Sequence, residues 1–231
     1  MIVSGLQKLT LLDFPGKTAC IIFTRDCNFR CPFCHNADLV IGDAAPIDNE
    51  EIFAYLNKRK NLLDGVVITG GEPLLQHDIA DFIRRVKSMG YAVKLDTNGT
   101  FPDRLQALLN EGLIDYVAMD VKNSEDCYLT TAGIKNEALL VRVKESIALI
   151  MASGVAYEFR TTVVKGLHTK ESLLATFSLI RGADRYFLQG FVDSGALINK
   201  EELSAFSKAE MQEFVSLAEP FVKSVSLRGY D

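Results

Sequence analysis

From Thr18 onward the chain alternates short, nearly continuous apolar segments with amphipathic ones, and a polar or glycine-rich turn follows each apolar segment. That alternation constrains the fold more than any other feature. TACIIFT, GVVITGG, YAVKLDTNG, YVAMDVK, YEFRTTVVKG and RYFLQGF read as six strands, being short, bounded by turn residues and rich in β-branched and aromatic side chains. Helices are predicted between them. The first runs from Ile47 to Lys60, with Ile52, Tyr55, Leu56 and Arg59 at helical spacing and Asp48 and Glu51 placed as a capping box. DIADFIRRVKSMG follows and closes on Gly90; a third opens at Pro102 and runs to about Glu111. Glu137 to Ser153, Lys170 to Arg181 and a last helix capped by Ser207 and Glu210 complete the series, with a short apolar VKSVSL after it.

Six strand–helix units with strands apolar on both faces imply an α/β fold whose parallel sheet is covered by helices. In such folds the active site lies at the carboxyl ends of the strands. The polar residues gather there: TGGEP, DTNG, DVKN, KGLH and QGF each follow a predicted strand. No linker, repeat or low-complexity tract divides the sequence, so residues 1–231 read as one domain. Its core is expected at about 18 to 190, with a C-terminal helix and tail at about 201 to 231.

Lys plus Arg is 25 against 30 Asp plus Glu, a formal net charge of -5. That balance argues against non-specific nucleic-acid binding, which needs a basic surface, and leaves room only for a local patch. No segment approaches the ~20 apolar residues that cross a bilayer, and MIVSGLQKLT has no apolar run of signal length. The chain is expected to be cytoplasmic. Its five cysteines are an odd number, and cytosolic thiols stay reduced, so metal binding or chemistry is a better expectation than a disulfide framework.

Three of the five fall in CNFRCPFCHN, as Cys27, Cys31 and Cys34, in the loop after the first predicted strand. Three thiolates in one short loop can converge on one soft-metal centre. A structural zinc site normally takes four protein ligands; His35 follows Cys34 directly and points the other way in an extended loop. Three ligands suit a cube-shaped [4Fe–4S] cluster whose fourth iron is left for a substrate. A zinc site completed by a remote group, or three unligated thiols, are the alternatives. Cys20 reads as a core residue of its strand and Cys127 as incidental, near a loop.

The spacing of the three cysteines, with Phe33 before the last, resembles the signature of the radical S-adenosylmethionine enzymes. The resemblance implies a partial (β/α)6 TIM-like barrel, a [4Fe–4S] cluster on Cys27, Cys31 and Cys34, and S-adenosylmethionine as cofactor, with Phe33 and His35 beside it. TGGEP resembles the family's glycine–glycine–glutamate element, which implies cofactor contacts from Gly70, Gly71 and Glu72. LDTNG and MDVKN resemble loops of the glycyl-radical-enzyme activases, the group that includes pyruvate formate-lyase activase. That implies cofactor contacts from Thr97 and Asn98, and Asp120 and Lys122 beside the ribose and methionyl carboxylate. It also implies an adenosine contact from His168 and a monovalent cation held by Asp96, Thr97 and Asp120.

Read from the residues alone, Glu72 caps the next helix, DTNG is an Asn-Gly turn, Asp120 with Lys122 is a surface ion pair, and His168 is a loop residue. Arg160 is either an inward anion partner or an exposed edge residue, and Gln189 is similarly placed.

GLQKLTLLDFPGK with FTRDCNFRCPFCHN is similar to activating proteins of anaerobic ribonucleoside-triphosphate reductase, a resemblance running from Gly5 to about Gln189. It implies that reductase as partner, with a flavodoxin or ferredoxin as electron donor. Where such proteins carry glycine before the first cysteine this chain has Asp26, which is strained if the turn needs positive φ. The competing expectations are a radical enzyme acting directly on a small molecule or RNA nucleotide, and a non-enzymatic zinc or iron–sulfur protein.

Overall fold

The computed structural model describes residues 1–231 except 43, 194, 196, 200–202 and 231. A single sheet runs in sequence order through Val3–Thr10 (β1), Ala19–Thr24 (β2), Gly65–Gly70 (β3), Ala92–Thr97 (β4), Tyr116–Asp120 (β5), Ala156–Val163 (β6), Tyr186–Gly190 (β7) and Val225–Arg228 (β8). The six predicted strands are β2 to β7, and they pair in parallel. Two strands were not expected. β1 lies antiparallel on β2, and β8, the VKSVSL segment, adds in parallel to β7. Among the described residues β1 and β8 do not pair, so the sheet is a partial barrel with one open side.

The helices are Ala37–Val40 (α1), Asn49–Lys58 (α2), Ile79–Ser88 (α3), Pro102–Asn110 (α4), Glu125–Ala132 (α5), Ala138–Ala152 (α6), Lys170–Leu179 (α7) and Lys208–Ala218 (α8). Asp48 caps α2 by accepting from the Glu50 N–H, not in the capping box expected with Glu51, and the buried face is Ile52, Phe53 and Leu56. Tyr55 is half-buried and Arg59 exposed, so neither belongs to that face. Ser207 and Glu210 do form a reciprocal capping box at α8. α5 is an addition, and it carries Cys127 in its first turn.

Strand alternation sorts the side chains into two cores. Cys20, Ile22, Val66, Ile68, Val93, Leu95, Val117 and Met119 point outward and pack under the helices in the large core. Ala19, Ile21, Val67, Tyr116 and Ala118 point into the concave face, where Phe14 closes the bottom of the barrel. That inner face turns from apolar to charged toward the carboxyl ends of the strands. Lys94 and Asp96 follow Ala92 on β4, Asp120 follows Ala118 on β5, and Glu158, Arg160 and Thr162 share the same face of β6. Lower on this face Glu158 is buried, held by both guanidinium nitrogens of Arg228 at 2.8 and 3.0 Å and by the Tyr116 hydroxyl at 2.9 Å.

Candidate active site

The loop carrying the three cysteines leaves β2 and closes over the carboxyl end of the barrel. It begins at Asp26, whose φ is +70°. The Asp26 N–H donates to the Leu39 carbonyl at 3.0 Å and its carbonyl accepts from Glu72 N–H at 2.8 Å, so the backbone is fixed on both sides. Gly71 lies so close that a Cβ there would stand 1.9 Å from the Asp26 carbonyl oxygen. The second glycine of TGGEP is thus required by contact between two loops of the chain itself. The expected strain at Asp26 follows from this turn. Asp26→Gly is expected to raise stability by about 0.5–1 kcal/mol, the αL penalty less the entropy of glycine. Thermal unfolding with an iron assay checks it, iron content staying unchanged; loss of iron would give the carboxylate a role in loading.

On its other side the loop is clamped by the end of α5. Arg30 N–H donates to the Ala132 carbonyl at 3.0 Å, and the Cys31 thiol approaches that same carbonyl at 3.7 Å. Gly133, the left-handed cap of α5 at φ +63°, lies flat on Arg30, whose carbonyl oxygen would be 2.1 Å from a Cβ. Phe29 is buried behind the loop and meets Tyr128 of α5 edge to face.

Cys27, Cys31 and Cys34 are free thiols and all line one cavity of about 290 Å³ at the carboxyl ends of the strands. Phe33, His35, Gly70, Gly71, Asp96, Thr97, Asn98, Asp120 and Lys122 line it too. Arg160 and Gln189, left open from sequence, face it as well, together with Phe29, Asn36 and Thr162, which sequence reasoning missed. For Thr162 a signal existed, since it shares a strand face with Arg160. Asn36 donates to the Gly70 carbonyl at 3.1 Å, a contact between loops that no local pattern announces. Burial pushes the Cys27 thiol up to about 12 and Cys31 up to about 11, so a bound metal must displace both protons. Among the described residues no three His, Cys, Asp or Glu side chains converge closely enough to hold one metal ion. A zinc ion needs ligands at ~2.0–2.3 Å from one point, whereas a cube-shaped cluster spreads its thiolates over separate irons. Three free thiols lining one cavity are the kind of donor set that such a cluster takes.

Two expected cofactor contacts lie elsewhere. Glu72 is fully buried and off the cavity wall. Its carboxylate accepts from Leu74 N–H at 3.0 Å, Asn98 N–H at 2.7 Å and the Thr97 hydroxyl at 2.8 Å. It caps the short 3₁₀ turn Pro73–Leu75 and ties the β3 loop to the β4 loop, which leaves it unavailable for a cofactor ammonium. His168 is also buried behind the wall. Its Nδ1 accepts from Val164 N–H at 3.1 Å, which puts the proton on Nε2, donating to the Lys122 carbonyl at 2.8 Å. It fixes the backbone of Lys122 and does not reach the cavity.

The same cavity carries an ionic group. Asp120 is bonded to Arg160 Nε and to Lys122 Nζ, both at 2.9 Å, and Asp96 to Lys94 and to Arg160 Nη1, the latter at 3.1 Å. Burial pushes Asp120 and Asp96 upward, but these cations outweigh it and hold both carboxyls below the ordinary range. Lys122 spends one of its three donors on Asp120, leaving two for a ligand. Asn98 stands beside the thiols, its Nδ2 donating to Asn28 Oδ1 at 2.9 Å and standing 3.9 Å from Cys27 Sγ.

Residues 21–180 match the family model of the radical SAM superfamily. The chain belongs to that superfamily. Membership makes it a radical enzyme and implies a [4Fe–4S] cluster and S-adenosylmethionine. A Methanocaldococcus jannaschii protein, provisionally named a glycyl-radical enzyme activating enzyme, is 32% identical over 98% of this chain and 95% of its own length. The pyruvate formate-lyase-activating enzyme of Listeria monocytogenes is 31% identical over 52% of each chain. A GTP 3′,8-cyclase of Halobacterium salinarum is 35% identical over 59% of this chain and 39% of its own. The fold matches Streptococcus suis SuiB bound to S-adenosylmethionine at a TM-score of 0.70 and 14% identity, covering 90% of this chain and half of that one. Archaeal TYW1 matches at 0.57 and 13% identity, over 88% of this chain and 72% of that one. No helix among the described residues is long and apolar enough to cross a membrane.

Proposed function

We propose that this radical SAM enzyme is a glycyl-radical-enzyme activase, with an anaerobic ribonucleoside-triphosphate reductase as its partner and a flavodoxin or ferredoxin as electron donor. The observation that carries the proposal is one cavity lined by three free thiols together with Lys122 and Arg160, in a sheet left open between β1 and β8. The relative matched over nearly the whole chain supports the activase assignment, and GLQKLTLLDFPGK supports the reductase.

In this reading Cys27, Cys31 and Cys34 hold the cluster. When bound, the reduced cluster and S-adenosylmethionine supply a 5′-deoxyadenosyl radical that removes a hydrogen atom from the partner's glycine. Lys122 and Arg160 receive the methionyl carboxylate, Lys122 as a point charge and Arg160 as a fork already oriented by two carboxylates. Asn98 and the Gly70–Gly71 backbone lie beside the cysteine loop, where polar groups of the cofactor meet them. Phe29 and Phe33, 2% and 4% exposed, keep water from the thiol side. Glu72 and His168 act one step back, each holding a loop that bears a contact residue. The unpaired side between β1 and β8 leaves room for an extended glycine-bearing loop, a substrate that needs no closed pocket.

The cyclase relative supports a second reading, direct action on a small molecule. One experiment separates the two. The protein is reconstituted anaerobically with iron and sulfide, reduced with S-adenosylmethionine present, and examined by electron paramagnetic resonance with and without the reductase. A glycyl-type radical only in the tube with reductase is the expected result. Cofactor cleavage to 5′-deoxyadenosine with no glycyl radical would move the assignment to another substrate.

A further inference from the structure

The monovalent cation implied at Asp96, Thr97 and Asp120 does not fit the side chains that meet there. Asp96 gives one oxygen to the Lys94 ammonium and the other to Arg160 at 3.1 Å. Asp120 gives one to Arg160 and one to Lys122, both at 2.9 Å. The Thr97 hydroxyl donates to Glu72 at 2.8 Å and accepts from Gly99 N–H at 3.1 Å. Every side-chain oxygen that would hold the cation is thus already engaged.

Charge leads to the same answer. Lys94, Arg160 and Lys122 stand against Asp96 and Asp120, so the connected group carries one net positive charge. The neighbouring Glu158 and Arg228 cancel each other. One positive charge matches one incoming carboxylate. An added cation would raise the group to two charges beside side chains that are mostly out of water: Lys94 is 2% exposed, Asp96 13% and Arg160 14%, with Asp120 at 31%.

Lys94 decides this balance. Two residues before Asp96 on β4, it shares the inner face one layer deeper, and among the described residues Asp96 is its one hydrogen-bonding partner. A buried ammonium with a single carboxylate beside it occupies the electrostatic role of a bound metal cation. We propose that Lys94 is a built-in substitute for a monovalent cation, neutralising Asp96 from below so that Arg160 and Lys122 keep net positive charge for the methionyl carboxylate. The ligand half of this statement rests on the function proposed above.

The test compares sodium, potassium, ammonium and tetramethylammonium chlorides at equal ionic strength, on the cluster-loaded full chain. Thermal unfolding is followed without S-adenosylmethionine, and its affinity is then measured in each salt. The natural chain is expected to give the same Tm and the same Kd within twofold in all four. Lys94→Ala, and Lys94→Met as a variant that keeps the buried stem, are expected to lose about 5 °C in the tetramethylammonium salt. They should bind S-adenosylmethionine about tenfold more weakly there, and both losses should be largely recovered in a small cation. Adding Asp96→Asn to Lys94→Met should abolish the recovery. The proposal is overturned if the natural chain needs a small cation for its Tm or Kd, if folded Lys94 variants ignore cation size, or if both variants fail to fold in every salt. A Tm response to cation size in a variant that never bound S-adenosylmethionine would keep the counterion role and sink the cofactor reading instead, since the thermal readout contains no cofactor.

Discussion

Replacing Glu72 with Ala is expected to cost about 3–5 kcal/mol of stability, although the residue touches neither cavity nor solvent. The substitution strands the Leu74 and Asn98 N–H groups and the Thr97 hydroxyl in a fully buried place. Each unsatisfied buried donor costs on the order of 1–3 kcal/mol, and the hydroxyl can turn to recover part of its share. Glu72→Gln keeps the shape but halves the acceptors, so its loss is expected at about half.

The same carboxyl gives a pH signature. Burial outweighs the hydrogen bonds from Asn98, Leu74 and Thr97 and raises its pKa to about 7 from 4.5. The folded chain therefore holds this proton more tightly than the unfolded chain. Its contribution is fully present below about 4.5 and is lost as pH rises through 7. Urea titrations of the cluster-free natural chain should show stability falling across that window by up to about 3 kcal/mol, and Glu72→Gln should flatten the fall. A natural chain indifferent to pH there would mean that the hydrogen bonds, not burial, set the charge of Glu72. Because Glu72 carries the Asn98 backbone, S-adenosylmethionine affinity should weaken in both variants while iron content stays unchanged.

How far the sequence foretold these arrangements depended on the range of the contact that decides each one. The six inner strands were legible because burial on both faces demands apolar, β-branched runs such as ACIIFT and GVVITG. β1 was not, since on the antiparallel edge VSGLQKLT is only partly covered, and β8 is four residues long and half-polar. α5 escaped because EDCYLTTA has no apolar stripe; Tyr128, Thr131 and Ala132 are what it buries. The residue types of the site and the loops that bear them were also legible, because polar turns follow the strands in order. What loops do to one another was not. Whether Glu72 and His168 face a ligand or a neighbouring loop is set by Asn98 and Lys122, 26 and 46 residues away. Lys94 lies between these cases. Strand alternation alone puts it beside Asp96 on one face, and in a strand otherwise apolar an inward lysine has to find a carboxylate.

Cys31→Ala is expected to remove the cluster, lowering bound iron at least tenfold after anaerobic reconstitution, and Cys27→Ala and Cys34→Ala should do the same. Stability should change little by comparison. Cys31 is a small buried residue whose thiol makes a weak 3.7 Å contact to the Ala132 carbonyl, so its loss costs on the order of 1 kcal/mol. The cysteine loop itself stays anchored through Arg30 on Ala132 and through Asp26 on Leu39 and Glu72. A folded protein without iron is therefore the outcome that identifies a ligand, whereas an unfolded one would point to packing. The two remaining cysteines supply the control. Cys20 lies in the outer core and Cys127 on α5, and neither lines the cavity. Cys20→Ala and Cys127→Ala should keep full iron and the spectrum of the reduced cluster. Iron retained in Cys31→Ala and lost in Cys127→Ala would reverse the assignment, making α5 a ligand-bearing helix instead of the clamp that holds the cysteine loop.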